Sequence, residues 1–362
     1  MNMTDHNTDK YKKLRAYMHE KKIDAVYISS PENYLYFSGY HNPDGFMIIT
    51  DSESYVFADF RYIEAVRRDA YEMCRVCMQG EVTAREIVEK HGIKTLGIED
   101  QSLTVSDHEL LTRSLDGTGC KTVPLGASLV AQRAVKYSAE VECITRAQRI
   151  AEGAFLHLLN VIHYDMTEIE AAAELEYYMT KNGSEMPVFD TIAVSGTASS
   201  VPHGVPRNVK LEPGFLTFDF GAKIGGYCSD MTRTVVVGRA DDDMKRLYNT
   251  VLSAQKAALD YLLGGGRGCG EADDIARSLI DAAGYRGCFG HGLGHGVGLF
   301  IHELPNLNRR RDGNRLVPGN VVTVEPGIYI EGRYGCRIED MVYITEDGGI
   351  DLTNCPKELI EI

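Results

Sequence analysis

Five side chains in the C-terminal half of this 362-residue sequence have the types expected of a metal-binding set: Asp219, Asp230, His295, Glu325 and Glu339. The runs Phe218-Asp219-Phe220 and Val324-Glu325-Pro326 place two of the acids inside apolar segments. Solvated surface charges are therefore a poor reading of them. An isolated carboxylate taken out of water costs many kcal/mol, and proteins pair it or give it a cation. Four carboxylates balance two divalent ions, and ions about 3.5–4 Å apart need carboxylates that bridge them. A single imidazole makes the two ions chemically unequal. An oxygen-dominated donor set suits manganese, with cobalt or zinc next under the usual affinity order. The residues alone point to two-metal hydrolysis.

The elements that must position these groups read as strands. Residues 215–220 and 231–237 flank a turn at Gly225-Gly226, so Asp219 and Asp230 are expected to face each other across an antiparallel pair. Glu325 and Glu339 repeat the idea, with an expected turn at Tyr334-Gly335 and a final strand over 337–345. Two such hairpins side by side would converge four carboxylates. The glycine-packed run from Gly290 to Gly298 carries His291 and His295, His302 follows in His-Glu-Leu-Pro, and His203 sits in Val-Pro-His-Gly. Four of the 11 histidines lie near glycine breaks, which favours function over core packing. The Gly-x-Gly-x-x-Gly spacing within that run follows no strand, so a dinucleotide site is not expected.

Upstream, strands and helices alternate. Helices are expected over 11–21, 61–69 and 81–91, and strands over 24–29, 45–50, 55–58 and 95–99, the pattern of a mixed α/β domain. The alternation stops over 124–136, where a linker is placed. A helix capped by Ser138 follows. Thr167-x-x-Glu170 is a capping box that opens another helix, ended by Gly183. Two more are expected over 242–263 and 271–283, the last capped by Gly284.

Composition sets bounds. Net charge is −14, with 44% hydrophobic and 25% charged residues. Nucleic acid and anionic membranes need a basic face and are not expected partners. No apolar stretch reaches the roughly 18 residues of a membrane helix, and the first ten residues lack the pattern of a secretory signal, so a cytoplasmic location is expected. The nine cysteines are scattered. Cys74-x-x-Cys77 is read as two thiols without a joint role, and Cys228 and Cys336 as packing residues.

These motifs resemble a known family. Asp219-x10-Asp230, His295, Glu325 in Thr-Val-Glu-Pro-Gly and Glu339 in Arg-Ile-Glu-Asp are similar to the pita-bread metallopeptidases. The Pro-His-Gly at His203 and the run from Gly290 to Pro305 resemble the proline-specific branch, that is, Xaa-Pro aminopeptidases and Xaa-Pro dipeptidases (prolidases). NYLYFSGY at 33–40, DFRY at 59–62 and Gly97 to Glu99 are similar to that branch's creatinase-like N-terminal domain.

The resemblance implies an α+β fold: a creatinase-like α/β domain over 1–125, a linker over 126–136 and a pita-bread catalytic domain over 137–362. It implies that Asp219 chelates one metal, that His295 and Glu325 complete the other, and that Asp230 and Glu339 bridge both. An activated hydroxide would attack the scissile carbonyl, with Glu325 as proton shuttle and His203 and His302 hydrogen-bonding the substrate and tetrahedral intermediate. His291, Tyr329 and Arg337 match positions near the proline pocket and the metals. The short Gly-Val-Gly-Leu-Phe-Ile-His-Glu-Leu-Pro form resembles bacterial aminopeptidases, so the expected activity is that of an Xaa-Pro aminopeptidase using two manganese ions on Xaa-Pro peptides. A prolidase is the alternative. A methionine aminopeptidase-type enzyme and a non-catalytic pita-bread binding protein are more distant readings. A homodimer is the family-level expectation.

Overall fold

Branched and aromatic runs between helices build one six-stranded sheet in the N-terminal part of the chain. The structure, a computed structural model, describes residues 3–41, 44–311 and 313–362. It falls into two units, Met1–Arg133 and Ala134–Ile362.

The first unit contains strands β1 (Ala25–Ile28), β2 (Phe46–Thr50), β3 (Ser54–Ala58), β4 (Cys74–Met78), β5 (Thr95–Ile98) and β6 (Lys121–Pro124), in the spatial order β4-β3-β2-β1-β5-β6. The β1–β2 and β2–β3 pairs are antiparallel, and the outer pairs are parallel. Parallel neighbours need a crossover, which helices α3 (Ile63–Asp69) and α5 (Val105–Ser114) supply between β3 and β4 and between β5 and β6. Ile48, Phe57 and Leu96 are buried in the core. Helix α1 (Met3–Lys21) begins well before the expected residue 11, because its polar first turns carry no apolar periodicity to announce them. Helix α2 (Pro31–Ser38) is capped by Ser30, and α4 (Ala84–His91) by a Thr83–Glu86 capping box, with Gly92 left-handed at its end. The expected linker contains a helix, α6 (Ser128–Ala134), near buried Leu125 and Leu129. Arg133 reaches back to Asn33, and Gln132 donates to the Lys10 carbonyl at 2.8 Å.

The second unit opens with α7 (Ser138–Val161). Tyr137, not Ser138, is the residue at its cap, and its N–H donates to the Glu140 carboxylate at 3.0 Å. Helix α8 (Glu168–Lys181) starts from the Thr167–Glu170 box. Strands β7 (Ile192–Ser195), β8 (Gly214–Phe220) and β11 (Met231–Val237) form one sheet, and the short strands β9 (Lys223–Ile224) and β10 (Tyr227–Cys228) lie between β8 and β11. Leu216, Phe218 and Phe220 of β8 pack with Phe155 and Leu175 of α7 and α8. The two-residue period therefore puts Asp219 on the opposite face.

Helices α9 (Asp242–Leu263) and α10 (Cys269–Ile280) follow. The chain leaves α10 through a wider turn at Asp281–Tyr285, with Gly284 left-handed at φ 95°, so the helix ends before the expected residue 283. The second sheet has the order β13-β12-β14-β17-β18, made by β12 (Gly294–Gly296), β13 (Glu303–Leu307), β14 (Val321–Val324), β17 (Asp340–Ile344) and β18 (Gly349–Asp351). Val322, Val324 and Val342 bury against Val251, Leu259 and Ala276 of α9 and α10. A hairpin of β15 (Gly327–Ile330) and β16 (Tyr334–Arg337) completes the unit.

Candidate metal centre and active site

The site is assembled at strand ends. Asp219 lies opposite Thr232 in the β8–β11 register, not opposite Asp230 as the sequence suggested. Asp230 precedes β11, at the level of Gly221. A Cβ on Gly221 would lie 2.0 Å from the Ser229 carbonyl oxygen, so the chains cross there too closely for any side chain. Gly225 and Gly226, at φ 59° and 79°, make the tight turn between β9 and β10. The two acids thus meet diagonally.

Glu325 follows β14, and Glu339 lies between β16 and β17. The single strand expected over 337–345 is broken at Ile338-Glu339, and the turn expected at Tyr334-Gly335 is a strand, the chain turning over 331–333 instead. The break lets β16 pair with β15 while β17 pairs with β14. The Glu339 N–H donates to the Thr232 carbonyl at 3.1 Å, which draws this acid beside β11. Strand β12 is pressed between β13 and β14. A Cβ on Gly294 would meet the Thr323 carbonyl at 2.0 Å, and one on Gly296 the Leu304 carbonyl at 2.2 Å. Those two glycines are what allow His295 to enter so narrow a slot.

His295 Nδ1 faces the Gly296 carbonyl oxygen at 3.1 Å and must carry the proton there. The Nε2 lone pair is left to the acids, 3.3 Å from Glu325 Oε1 and 3.6 Å from Asp230 Oδ2. Donor atoms of Asp230, His295 and Glu339 lie within 4.8 Å of one another. Three buried carboxylate oxygens, Asp219 Oδ1, Asp230 Oδ1 and Glu339 Oε1, have no hydrogen-bond partner. Burial, reinforced by the neighbouring acids, drives the Asp230 and Glu339 carboxyls well above the ordinary range. Burial also pushes Glu325 to about 8 and pulls His295 down to about 4. Acids so placed cannot all ionise without a cation, and a neutral imidazole beside them is a metal donor. The residues fit a divalent metal.

Arg337 is the charged counterweight within the protein. Its Nη2 donates to Asp219 Oδ2 at 2.6 Å, its Nε to Thr232 Oγ1 at 3.0 Å and its Nη1 to Tyr329 Oη at 2.7 Å. The Thr232 hydroxyl in turn donates a hydrogen bond to Glu339 Oε2 at 2.7 Å. His291 Nδ1 faces the Gly292 carbonyl at 2.9 Å, so its Nε2 accepts from Tyr329 Oη at 3.0 Å. Burial holds His291 at about 4 and therefore neutral.

A cavity of about 530 Å³ opens over these groups. Asp219, Asp230, His203, His291, His295, His302, Glu325, Arg337 and Glu339 line it, whereas Tyr329 stands behind Arg337 and His291. The His302 ring lies 4.5 Å from the His295 ring. The sequence reading missed the apolar wall of Phe189, Ile192 and Ile301, and also Asn306 and Asn308. Asn306 lies in β13, paired to His295, and Asn308 lies just past its end, but a strand so short and so close to proline carries little periodic signal. The cysteines stay outside the cavity wall, Cys228 and Cys336 being buried as packing residues. Among the described residues, no helix is long and apolar enough to cross a membrane.

The chain is similar to known proteins over nearly its whole length. The pattern of Metallopeptidase family M24 matches residues 142–346, and that of the Creatinase/Prolidase N-terminal domain matches residues 10–135. The chain is 38% identical over 357 residues to the Xaa-Pro dipeptidase of Pyrococcus furiosus, covering 97% of this chain and 99% of that protein. Among solved structures, an Xaa-Pro dipeptidase from Bacillus anthracis superposes with a TM-score of 0.93 at 36% identity, over 98% of this chain and 100% of that one. An X-Pro aminopeptidase from Thermotoga maritima gives 0.86 at 35% identity, over 94% and 98%. The acid-walled cavity draws its carboxylates from the span that matches the family, and the chain belongs to metallopeptidase family M24, in its proline-specific branch, with a creatinase-type N-terminal domain.

Proposed function

We propose that this protein is an Xaa-Pro dipeptidase that uses two divalent metal ions, manganese first among them. The observation that carries the metal reading is the set of three orphaned carboxylate oxygens on Asp219, Asp230 and Glu339, the last two acids lying beside His295. The family resemblance read from the sequence favours an aminopeptidase. The prolidase alternative is better supported, because the relative from Pyrococcus furiosus and the neighbour from Bacillus anthracis are both named Xaa-Pro dipeptidases.

In this reading Asp219, Asp230, His295, Glu325 and Glu339 hold the metals. The bound metals supply Lewis acidity that makes a water nucleophilic near neutral pH. Glu325 accepts the proton of that water and returns it to the proline nitrogen as the peptide bond breaks. His203 and His302, on the cavity wall, donate to the peptide oxygens as negative charge develops there. Arg337 pairs with Asp219 and fixes its orientation. Tyr329 holds Arg337 from behind, and His291 borders the proline side of the cavity. The protein acts as a homodimer, which light scattering checks.

An Xaa-Pro dipeptide and an Xaa-Pro-Yaa tripeptide, each supplied with manganese, test the assignment. Faster cleavage of the dipeptide is expected. Preference for the tripeptide would restore the aminopeptidase reading, and cleavage of neither would end both.

A further inference from the structure

The loop that presents His203 is closed at both ends by one side chain. Glu168, the first residue of α8, is fully buried. Its Oε1 accepts from the Ser195 N–H and the Ser195 hydroxyl, each at 2.7 Å, and from Arg207 Nη2 at 2.6 Å. Its Oε2 accepts from the Arg207 N–H at 2.8 Å and from Arg207 Nε at 2.9 Å. Ser195 and Arg207 bound the segment 196–206, so one carboxylate spans the whole loop. The Ser195 hydroxyl also accepts from the Glu212 N–H at 2.9 Å, and Arg207 Nη2 touches Glu212 Oε2 at 3.3 Å.

Within the loop, Pro202, His203, Gly204, Val205 and Pro206 form one wall of the catalytic cavity. Among the described residues His203 has no hydrogen-bond or ion-pair partner, so the loop backbone alone sets its place. Ser199 ties the first half of the loop to β16, its hydroxyl accepting from the Gly335 N–H at 3.0 Å. The Pro202 carbonyl accepts from Arg337 Nη1 at 3.2 Å. After Pro202, the backbone is next fixed to the body of the unit at Arg207. A bidentate guanidinium–carboxylate pair fixes orientation as well as distance, and a catalytic group is only as well placed as the side chains that support it.

We propose that the Glu168–Arg207 pair is a positioning element for His203, holding the 196–206 loop so that the imidazole meets the substrate. This rests on the substrate-binding role given to His203 above. The test compares Arg207→Met, His203→Ala and the double variant in manganese-dependent cleavage of an Xaa-Pro dipeptide. Amide hydrogen exchange over 196–206 and bound-metal content are measured alongside. Arg207 is 37% exposed at its side chain, so an uncharged residue fits there, and Arg207→Gln is the second variant should the first not fold. The expected result is a fall in kcat on the order of 10- to 100-fold, the usual effect of a displaced catalytic group, with KM and metal content held. Exchange over 196–206 accelerates, and Arg207→Lys restores part of the rate. In the His203→Ala background the same change costs less than about twofold, because groups acting as a unit are not additive. An equal loss in both backgrounds, loss of metal, or unchanged exchange would overturn the proposal. If the wild-type protein cleaves no Xaa-Pro peptide, the functional reading fails while the exchange measurement still decides whether the pair holds the loop.

Discussion

The Arg337 guanidinium meets the Asp219 carboxylate at 2.6 Å, and the other Asp219 oxygen is buried without a partner. One side chain therefore offers one oxygen to the protein and leaves the other unsatisfied, as the proposed role in holding a metal requires. Arg337 is itself 3% exposed and also holds Tyr329 and Thr232. Arg337→Met is expected to lower metal affinity or turnover by about 10–100-fold, the usual cost of removing a group that orients a metal ligand. Arg337→Lys should not rescue it, since an ammonium cannot serve three acceptors in a planar fork. Metal titration by calorimetry and steady-state kinetics check both variants.

Metal removal should be felt as a pH-dependent loss of stability. Without a cation, burial raises Asp230 and Glu339 well above the ordinary carboxylate range and Glu325 to about 8. The folded state then keeps protons that the unfolded chain, with carboxylates near about 4, has already released. Stability from these groups is present in full below that pH and is lost as pH climbs towards the folded values. Chelated protein should therefore melt lower at pH 8 than at pH 6. Manganese should raise the melting temperature more at pH 8, because binding displaces those protons. Thermal melts at the two pH values, with chelator and with manganese, decide it, and equal shifts at both would count against the cation reading.

The proposed proton shuttle and the proposed oxyanion contacts separate by substitution. Glu325→Gln is expected to lower turnover by about 10²–10⁴-fold while the dipeptide still binds. His302→Ala should lower turnover by about 10²-fold with the bound metal unchanged. Metal analysis beside kinetics distinguishes the two: metal lost from the His302 variant would mean that this ring, 4.5 Å from His295, belongs to the ligand set.

Much of this site is legible in the sequence because burying an acid is costly. Asp219 between two phenylalanines and Glu325 between Val324 and Pro326 announce themselves, and helix α9 has its expected bounds of 242 and 263 because an apolar face runs its whole length. Pairing register is not so written. Thr232, not Asp230, faces Asp219, since the offset follows from how Ser229 packs on Gly221, a contact with no periodic trace. The break at Ile338-Glu339 is hidden at the start of the run 337–345, which reads as one strand. Helix α6 is hidden in the segment read as a linker, where its seven residues are too few to show an amphipathic face. The Glu168–Arg207 pair spans 39 residues, and no local pattern connects its members.

One further long-range pair supports His302. Lys136 Nζ lies 3.4 Å from Glu303 Oε2, with each side chain 1% exposed, and Glu303 Oε1 accepts from the Phe300 N–H at 3.1 Å. A Cβ on Gly298 would lie 2.3 Å from Glu303 Oε2, so the glycine run that carries His295 is shaped around this ion pair. Breaking a buried pair by removing one partner leaves a charge in an apolar setting and costs about 3–5 kcal/mol, whereas replacing both with apolar residues is often close to neutral. Lys136→Met should therefore lower the urea midpoint strongly, and Lys136→Met with Glu303→Leu should recover part of the loss. Turnover should not recover with stability, because Glu303 adjoins His302 and its carboxylate fixes the Phe300 backbone on the other side. A double variant that regained full turnover would show that the pair serves folding alone.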